Sequence, residues 1–81
     1  MDRLGVIGIV LSKPCKETAA KVQAILSDHA DIIAGRMGVP DRETGMNAIA
    51  LIVKGSNEAI SALSGKLGRL DGVCARSALA I

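Results

Sequence analysis

The 81-residue sequence contains no Phe, Trp or Tyr, and it has one His, two Cys and two Pro. Hydrophobic residues nevertheless make up 49% of the chain. The core must therefore be built from Ile, Leu, Val and Ala, which favours close approach of backbones over the packing of large rings. The lack of aromatic residues also excludes an RNA-recognition module, since such modules stack bases on aromatic side chains of their sheet.

Strong charge and long apolar runs are missing as well. The formal net charge of +2 is too small to imply direct nucleic-acid binding. The apolar run LGVIGIVL has eight residues, whereas a membrane-spanning helix needs about 20. No small-residue cleavage site follows this run, so it is not a signal peptide. A cytoplasmic protein with no membrane partner is expected.

The sequence offers little catalytic chemistry. The single histidine, His29, has no nucleophile or carboxylate near it in the topology derived below, so no triad or acid–base pair can be assembled. The segment GVIGIV lacks the order of glycines found in dinucleotide-binding loops. We therefore predict that the protein is not an enzyme and carries no cofactor.

The hydrophobic periodicity predicts elements in the order βαββαβ. The predicted strands cover residues 4–11, 31–39, 46–53 and 73–81. The first helix follows Ser12 or Lys13 as N-cap, with Pro14 at its first position. The segment PDRETG has the composition of a turn between the second and third strands.

The second helix is expected to follow Ser56 or Asn57 as N-cap and to stop at Gly68. Gly65 inside this helix costs roughly 1 kcal/mol relative to Ala, so a close approach to a neighbouring element is expected there. The whole chain, 1–81, then forms a single α+β domain of the ferredoxin-like class. Its four-stranded antiparallel sheet has the order 4-1-3-2, with both helices on one face.

One face of a two-layer sheet should be polar, but these strands are apolar on both faces. We assign the bulky residues of the first and third strands to the helices. The opposite face is then apolar but made of smaller residues, which usually marks an interface. It predicts a homo-oligomer, a dimer or tetramer, with two-fold contacts; the alternative is a hydrophobic sheet exposed to water. The candidate interface residues are Val6, Gly8, Val10, Ala48, Ala50 and Ile52.

The same alternation places Arg36 of the second strand and Arg76 of the fourth on the open face, one at each edge. Such arginines are either solvated or paired with a partner's carboxylates. The alternative is an anion or carboxylate site between subunits, because a guanidinium group binds such anions in a fork.

Two cysteines and the histidine are the remaining reactive side chains. Cys15 lies near a helix N-terminus between two lysines, an environment that lowers a thiol pKa and would make the residue reactive. The alternative is a structural cysteine, because Cys15 also continues the apolar stripe of the first helix. Cys74 is expected on the opposite sheet face, so no intrachain disulfide between the two is expected. His29 at the end of the first helix is expected to cap carbonyls. These three residues lack the spacing of a metal site within one subunit.

Three segments carry a resemblance to a known family: GVIGIV, DIIAGRMGVPDRETGMNAIALIVKG and ISALSGKLGRLDGVCARSALA. Over nearly the whole chain they resemble the iron-only hydrogenase system regulator family. The resemblance implies an ACT-like fold, similar to the ligand-binding domain of the nickel-responsive repressor, and assembly into dimers or tetramers. The ribbon-helix-helix segment of that repressor is expected to have no counterpart, and its histidine-rich nickel site has none, since His29 stands alone.

The hairpin phrase GRMGVPDRETG is among the most specific parts of the resemblance. Two interpretations of it are open. The residues Arg36, Met37, Gly38 and Arg42 shape a regulatory or oligomer contact, or else Pro40 and Gly45 simply satisfy the geometry of a turn.

The function that follows is a non-catalytic regulatory module of the iron-only hydrogenase system. It is expected to act as an oligomer that binds a small ligand or a protein partner of that system. The alternative is a metal- or redox-responsive sensor domain without its own DNA-binding segment, using Cys15, Cys74 or His29 across a subunit interface.

Overall fold

Two helices cover one face of a four-stranded antiparallel sheet in the computed structural model, which describes residues 2–13 and 15–80. Pro14, expected at the start of the first helix, and Ile81, expected at the end of the last strand, lie outside the described residues. The elements are β1 (Arg3–Leu11), α1 (Lys16–Asp28), a short 3-10 turn (Ala30–Ile32), β2 (Ile33–Pro40), β3 (Asn47–Gly55), α2 (Asn57–Gly68) and β4 (Val73–Leu79).

The strand order is β2-β3-β1-β4, which confirms the predicted order 4-1-3-2 read from the other edge. β1 lies in the centre and pairs antiparallel with both β3 and β4. β2 pairs antiparallel with β3 and forms one edge. The predicted βαββαβ order is therefore correct.

The core lies between the helices and the sheet and consists of aliphatic side chains, as the lack of aromatic residues requires. The bulky residues of β1 and β3 point to the helices as predicted, and no polar side chain among the described residues is buried. Burial of a large aliphatic side chain stabilises the fold by about 1.5–3 kcal/mol. The buried set is Ile7, Ile9, Leu11, Val22, Leu26, Ile32, Leu51, Val53, Ile60, Leu63, Leu67 and Ala75.

The first helix begins later than the sequence suggested. Its N-cap is Cys15, whose sulfur accepts a hydrogen bond from the backbone N–H of Thr18, so the prediction of Ser12 or Lys13 was wrong. The Ser12 hydroxyl instead donates to the carbonyl of Gly72, 3.2 Å away. Ser12 thus ties the end of β1 to the turn before β4 and is not available as a cap.

The second helix starts as predicted and ends one residue later. Its N-cap is Ser56, whose hydroxyl accepts from the Ala59 N–H at 3.1 Å. Gly68 is still helical, and Arg69 forms the C-cap. A Cβ added at Gly65 would meet nothing within 4 Å, so the expected close approach there is wrong.

The close approach occurs at Gly5 instead. A Cβ at Gly5 would lie 2.7 Å from the carbonyl oxygen of Ala78 and 2.5 Å from Cδ2 of Leu79. Gly5 is buried on the helix side of β1 and pairs with Leu79 across the sheet. A side chain at this position would therefore push β4 away from β1.

The edge strand β2 is irregular. It begins at Ile33, after the 3-10 turn, rather than at residue 31. Its register with β3 shifts between Ile33, which pairs with Val53, and Gly35, which pairs with Ile52. One residue, Ala34, is therefore extra on the β2 side, as in a β-bulge.

Among the described residues, neither helix is long and apolar enough to cross a membrane.

Candidate functional site

The sheet face turned away from the helices is apolar, and we call it the open face. Every second residue of each strand lies on this face, because successive side chains of a strand point to opposite faces of the sheet. Six large aliphatic or methionine side chains on it have exposed fractions from 39% to 65%. The residues of the open face are Leu4, Val6, Gly8, Val10, Gly35, Met37, Val39, Ala48, Ala50, Ile52, Lys54, Cys74, Arg76 and Ala78.

All six predicted interface residues share this face. Gly8 pairs with Ala50 and Val10 with Ala48, so the small residues form the middle of the face. They leave a shallow depression of about 210 Å³, walled on the β2 side by Met37. The open face is thus contoured rather than flat, with small residues in the centre and larger ones around them.

Polar groups on the open face are few. Arg76 pairs with Gly8 and lies on this face, as predicted. Its guanidinium donates to the carbonyl of the neighbouring Ala75 at 3.0 Å, which holds the charged group close to its own strand. Lys54 and Cys74 lie nearer the ends of their strands. The charge therefore sits at the margin of an apolar surface.

Arg36 does not lie on the open face, and its predicted position was wrong. It pairs with Leu51, which is buried under the helices, so Arg36 points to the helix side of the sheet. The cause is the extra residue Ala34: an uninterrupted register from Ile33 would have paired Arg36 with Ala50. A bulge reverses the face of every later residue relative to unbroken alternation. The two arginines therefore lie on opposite faces and at opposite edges.

On the helix side, Arg36 meets the first helix. Its Nη1 donates a hydrogen bond to Oε1 of Gln23 at 3.1 Å. Both side chains border a depression of about 220 Å³ between α1 and the β2–β3 hairpin. Asn47 lies at the other end of this depression, paired with Pro40. Neither Gln23 nor Asn47 was singled out in the sequence, because no local pattern reveals which helix residue faces an edge strand.

The bulge also brings further apolar residues onto the open face. Met37 pairs with Ala50, and Val39 pairs with Ala48. Their side chains are 65% and 53% exposed. Gly38, between them, lies on the helix side opposite Ile49. The predicted hairpin residues are thus divided between two surfaces.

The tip of the hairpin is held by its own hydrogen bonds. The Asp41 carboxylate accepts from the backbone N–H and the hydroxyl of Thr44. These bonds lower the pKa of Asp41, because they stabilise its charged form. Gly45 has a φ of +75°, a value that favours glycine. Arg42 is exposed at this tip, beyond the end of β2 and outside the open face.

Cys15 is an exposed thiol that is hydrogen-bonded to Thr18. Its sulfur contacts the Thr18 hydroxyl at 3.3 Å and accepts from the Thr18 N–H. These hydrogen bonds lower the pKa of the Cys15 thiol. The side chain is exposed, so the expectation that it extends the buried stripe of α1 is wrong.

The three candidate metal-binding residues are separated. Cys74 lies on the open face opposite Val10, as predicted, and Cys15 caps the start of α1. His29 caps the other end of α1 with its backbone, and its Nε2 lies 3.2 Å from Nζ of Lys66. Within residues 2–13 and 15–80, no group of three His, Cys, Asp or Glu side chains could hold a metal ion.

Residues 3–77 match the model of the family described as "TM1266-like: Iron-only hydrogenase system regulator, putative". The uncharacterized protein TM1266 from Thermotoga maritima has a TM-score of 0.94 and 32% identity, with all of both chains covered. Comparison with curated protein sequences gives no significant match.

Two further solved structures with lower identity share the fold. The ACT domain of GTP pyrophosphokinase from Chlorobium tepidum has a TM-score of 0.77 and 19% identity, covering 96% of this chain and 100% of that one. The regulatory subunit of aspartate kinase from Thermus flavus has a TM-score of 0.58 and 24% identity, covering 95% of this chain and 55% of that one. These likenesses confirm the ACT-like ferredoxin fold.

Proposed function

The chain belongs to the iron-only hydrogenase system regulator family, and on that premise we propose that it is a non-catalytic, cytoplasmic regulatory module of this system. It acts as a homo-oligomer assembled through the open face and binds a small ligand or a protein partner. The observation that supports this assembly is the apolar open face, whose six large side chains are 39% to 65% exposed in the single chain.

The size of this face supports an interface. Four strands about 4.8 Å apart, each with about seven residues rising 3.3 Å, span roughly 440 Å². Exposed apolar patches on monomers reach about 300–600 Å² and are often functional when they are this large. The face also has small residues in its centre, so the sheet of a second copy can approach closely.

A two-fold contact fits the distribution of charge. Arg76 lies beside Gly8 but on the edge strand β4, and Lys54 lies near the end of β3. Two copies can therefore bring the apolar side chains of β1, β2 and β3 together while both charges stay at the margin of the contact. Such an isologous contact uses the same residues on both subunits. The resulting dimer has an apolar centre and a basic margin, and it keeps the helices on the outside.

Sedimentation of the protein at micromolar concentration tests the assembly. We expect an oligomer for the native chain and a monomer for Ala50→Glu, because the new carboxylate would lie in the centre of the contact. Ala20→Glu is the matched control, since Ala20 is exposed on α1, and it should remain oligomeric. A monomeric native chain, or an Ala50→Glu variant that still assembles, would refute the proposed interface.

A redox- or metal-responsive sensor is the second candidate, and the lowered pKa of Cys15 favours it. A thiol with a lowered pKa is more ionised at neutral pH and is therefore more readily oxidised. Cys74 lies exposed on the open face, where two copies could bring their thiols together. In this candidate, oxidation or metal binding would alter the assembly.

Metal analysis of untagged protein separates the two candidates. A stoichiometric metal would support the sensor and contradict the metal-free module. For the redox form, alkylation of Cys15 by iodoacetamide in a Cys74→Ser background should slow in Thr18→Val, because the hydroxyl that helps to stabilise the thiolate is gone. An unchanged alkylation rate would show that Thr18 does not activate this thiol.

A further inference from the structure

A polar depression on the helix side of the sheet is separate from the open face. It lies between α1 and the β2–β3 hairpin and has a volume of about 220 Å³. Gln23 of α1 and Arg36 of β2 border it on one side, and Asn47 borders it on the other. Gly38 and Ile49 form its floor, where the missing side chain of Gly38 leaves the space open.

The charge of Arg36 is not balanced within this depression. Its guanidinium donates to Gln23 Oε1, which is a neutral acceptor. None of the residues lining the depression is acidic. Among the described residues, the ion pair between Lys21 and Glu17 is the one that forms, so Arg36 makes no ion pair there. The hydrogen bond to Gln23 therefore orients the Arg36 guanidinium, and its positive charge can bind an anion.

The remaining donors are arranged around the same space. A guanidinium has five N–H donors, and the hydrogen bond to Gln23 uses one nitrogen. The amide nitrogen of Gln23 is also a donor, and the Asn47 amide can donate or accept. Because Gln23 already orients Arg36, less side-chain freedom is lost when an anion binds.

We propose that this depression binds a small carboxylate, with Arg36 holding the carboxylate group and the apolar floor contacting its hydrocarbon part. The inference rests on the proposed function and specifies its small ligand. The volume lies below the roughly 300–1,000 Å³ typical of sites for drug-sized ligands, so the depression suits a small ligand. A guanidinium fork matches the two oxygens of a carboxylate.

A phosphate fits this surface less well. Phosphate sites use several backbone N–H groups at a helix N-terminus or more than one cation. Here a single guanidinium, two side-chain amides and an aliphatic floor meet. This combination suits a carboxylate group attached to a short carbon chain.

An amide NMR titration of the full chain with sodium succinate tests the proposal. Sodium phosphate and sodium chloride at equal ionic strength are the parallel arms. We expect saturable shifts at Gln23, Gly38 and Asn47 with succinate, weaker shifts with phosphate and none with chloride. Equal or stronger binding of phosphate would overturn the assignment of a carboxylate, and shifts at other residues would overturn the site.

Substitutions of Arg36 and Gly38 test their roles in binding. Arg36→Met should weaken succinate binding about tenfold or more, as loss of a hydrogen bond to a charged group implies. Gly38→Val should abolish binding by filling the floor, and a Cβ there has room beside Ile49, 3.8 Å away. Arg69→Met, at the exposed C-cap of α2 and outside both surfaces, is the matched control and should bind normally. Unchanged binding in both Arg36→Met and Gly38→Val would refute the site.

Sedimentation of the same samples separates the test of this binding site from the test of the proposed oligomer. Succinate binding by a monomeric chain would support the site while refuting the oligomer. An oligomer that shows no succinate-dependent shifts would refute the site and leave the assembly standing.

Discussion

Two glycines on the helix side of the molecule show how the same residue type can be required at one position and costly at another. Gly5 lies where β1 and β4 approach, and an added Cβ there would contact the Ala78 carbonyl oxygen at 2.7 Å. Gly65 lies in α2 with no atom within 4 Å of an added Cβ. The local surroundings, and not the residue type, decide the effect of a substitution.

Gly65→Ala is therefore expected to stabilise the protein by about 0.5–1 kcal/mol, because alanine restricts the unfolded chain and favours the helix. Urea denaturation measures the change in the free energy of unfolding. Gly5→Ala is the matched comparison and should destabilise by about 1–3 kcal/mol through overpacking. A stabilising Gly5→Ala would show that β4 shifts freely.

Asp41 predicts a pH dependence of stability in the hairpin. Its folded pKa is lowered by hydrogen bonds from Thr44, so the unfolded state binds the proton more readily. The contribution of Asp41 is therefore fully present above the unfolded pKa, about 4, and is lost as the pH falls through the lower, folded pKa. Asp41→Asn should be less stable than the native chain at neutral pH.

That difference should shrink as the solution is acidified, and thermal unfolding at a series of pH values measures it. Glu43→Gln in the same loop is the control, because the Glu43 side chain makes no hydrogen bond among the described residues. If the difference in stability between Asp41→Asn and the native chain stays constant as the solution is strongly acidified, the carboxylate charge contributes nothing to stability.

At the scale of elements, the start of α2 depends on one serine. The Ser56 hydroxyl accepts from the Ala59 N–H, which satisfies one of the free N–H groups at the helix start. Ser56→Ala should lower the free energy of unfolding by about 0.5–2 kcal/mol. Chemical denaturation measures this loss.

Ser61→Ala is the matched control, since Ser61 is exposed in the middle of α2. Alanine has the higher helix propensity, so this variant should equal or slightly exceed the native stability. Equal losses for the two variants would contradict a capping role for Ser56.

The elements also show where sequence reasoning succeeds and where it fails. Alternation along β1 and β3 correctly gave the buried and open faces, because both strands pair regularly over their length. The predicted face of Arg36 was wrong because Ala34 is extra in β2. The adjacent Gly35 is the one local sign of this irregularity, since a glycine inside a strand often marks a bulge. Sequence alternation predicts a face only where the register is unbroken.

The depression beside Arg36 was missed for a related reason. Gln23 and Asn47 come from α1 and β3, and their meeting with Arg36 depends on how the helix lies over an edge strand. Each residue alone has the pattern of a solvated surface position. The candidate site thus depends on tertiary placement, whereas the open face follows from the period of single strands.

At the scale of the whole molecule, size limits stability. A domain of about 60–80 residues buries only about 60–65% of the surface of its unfolded chain, and here an apolar face stays uncovered in the single chain. Association through that face would remove apolar area from water at about 25 cal/mol per Å². Folding and assembly would then be coupled.

This coupling predicts a melting temperature that depends on protein concentration. Association with a second copy favours the folded state by mass action, so dilution should lower the melting temperature of the native chain. Ala50→Glu, which places a charge in the centre of the open face, should melt at one temperature over the same range, and Ala20→Glu should behave as the native chain does. Calorimetry at several concentrations measures this, and a native melting temperature unaffected by dilution would show that the open face does not stabilise the fold through association.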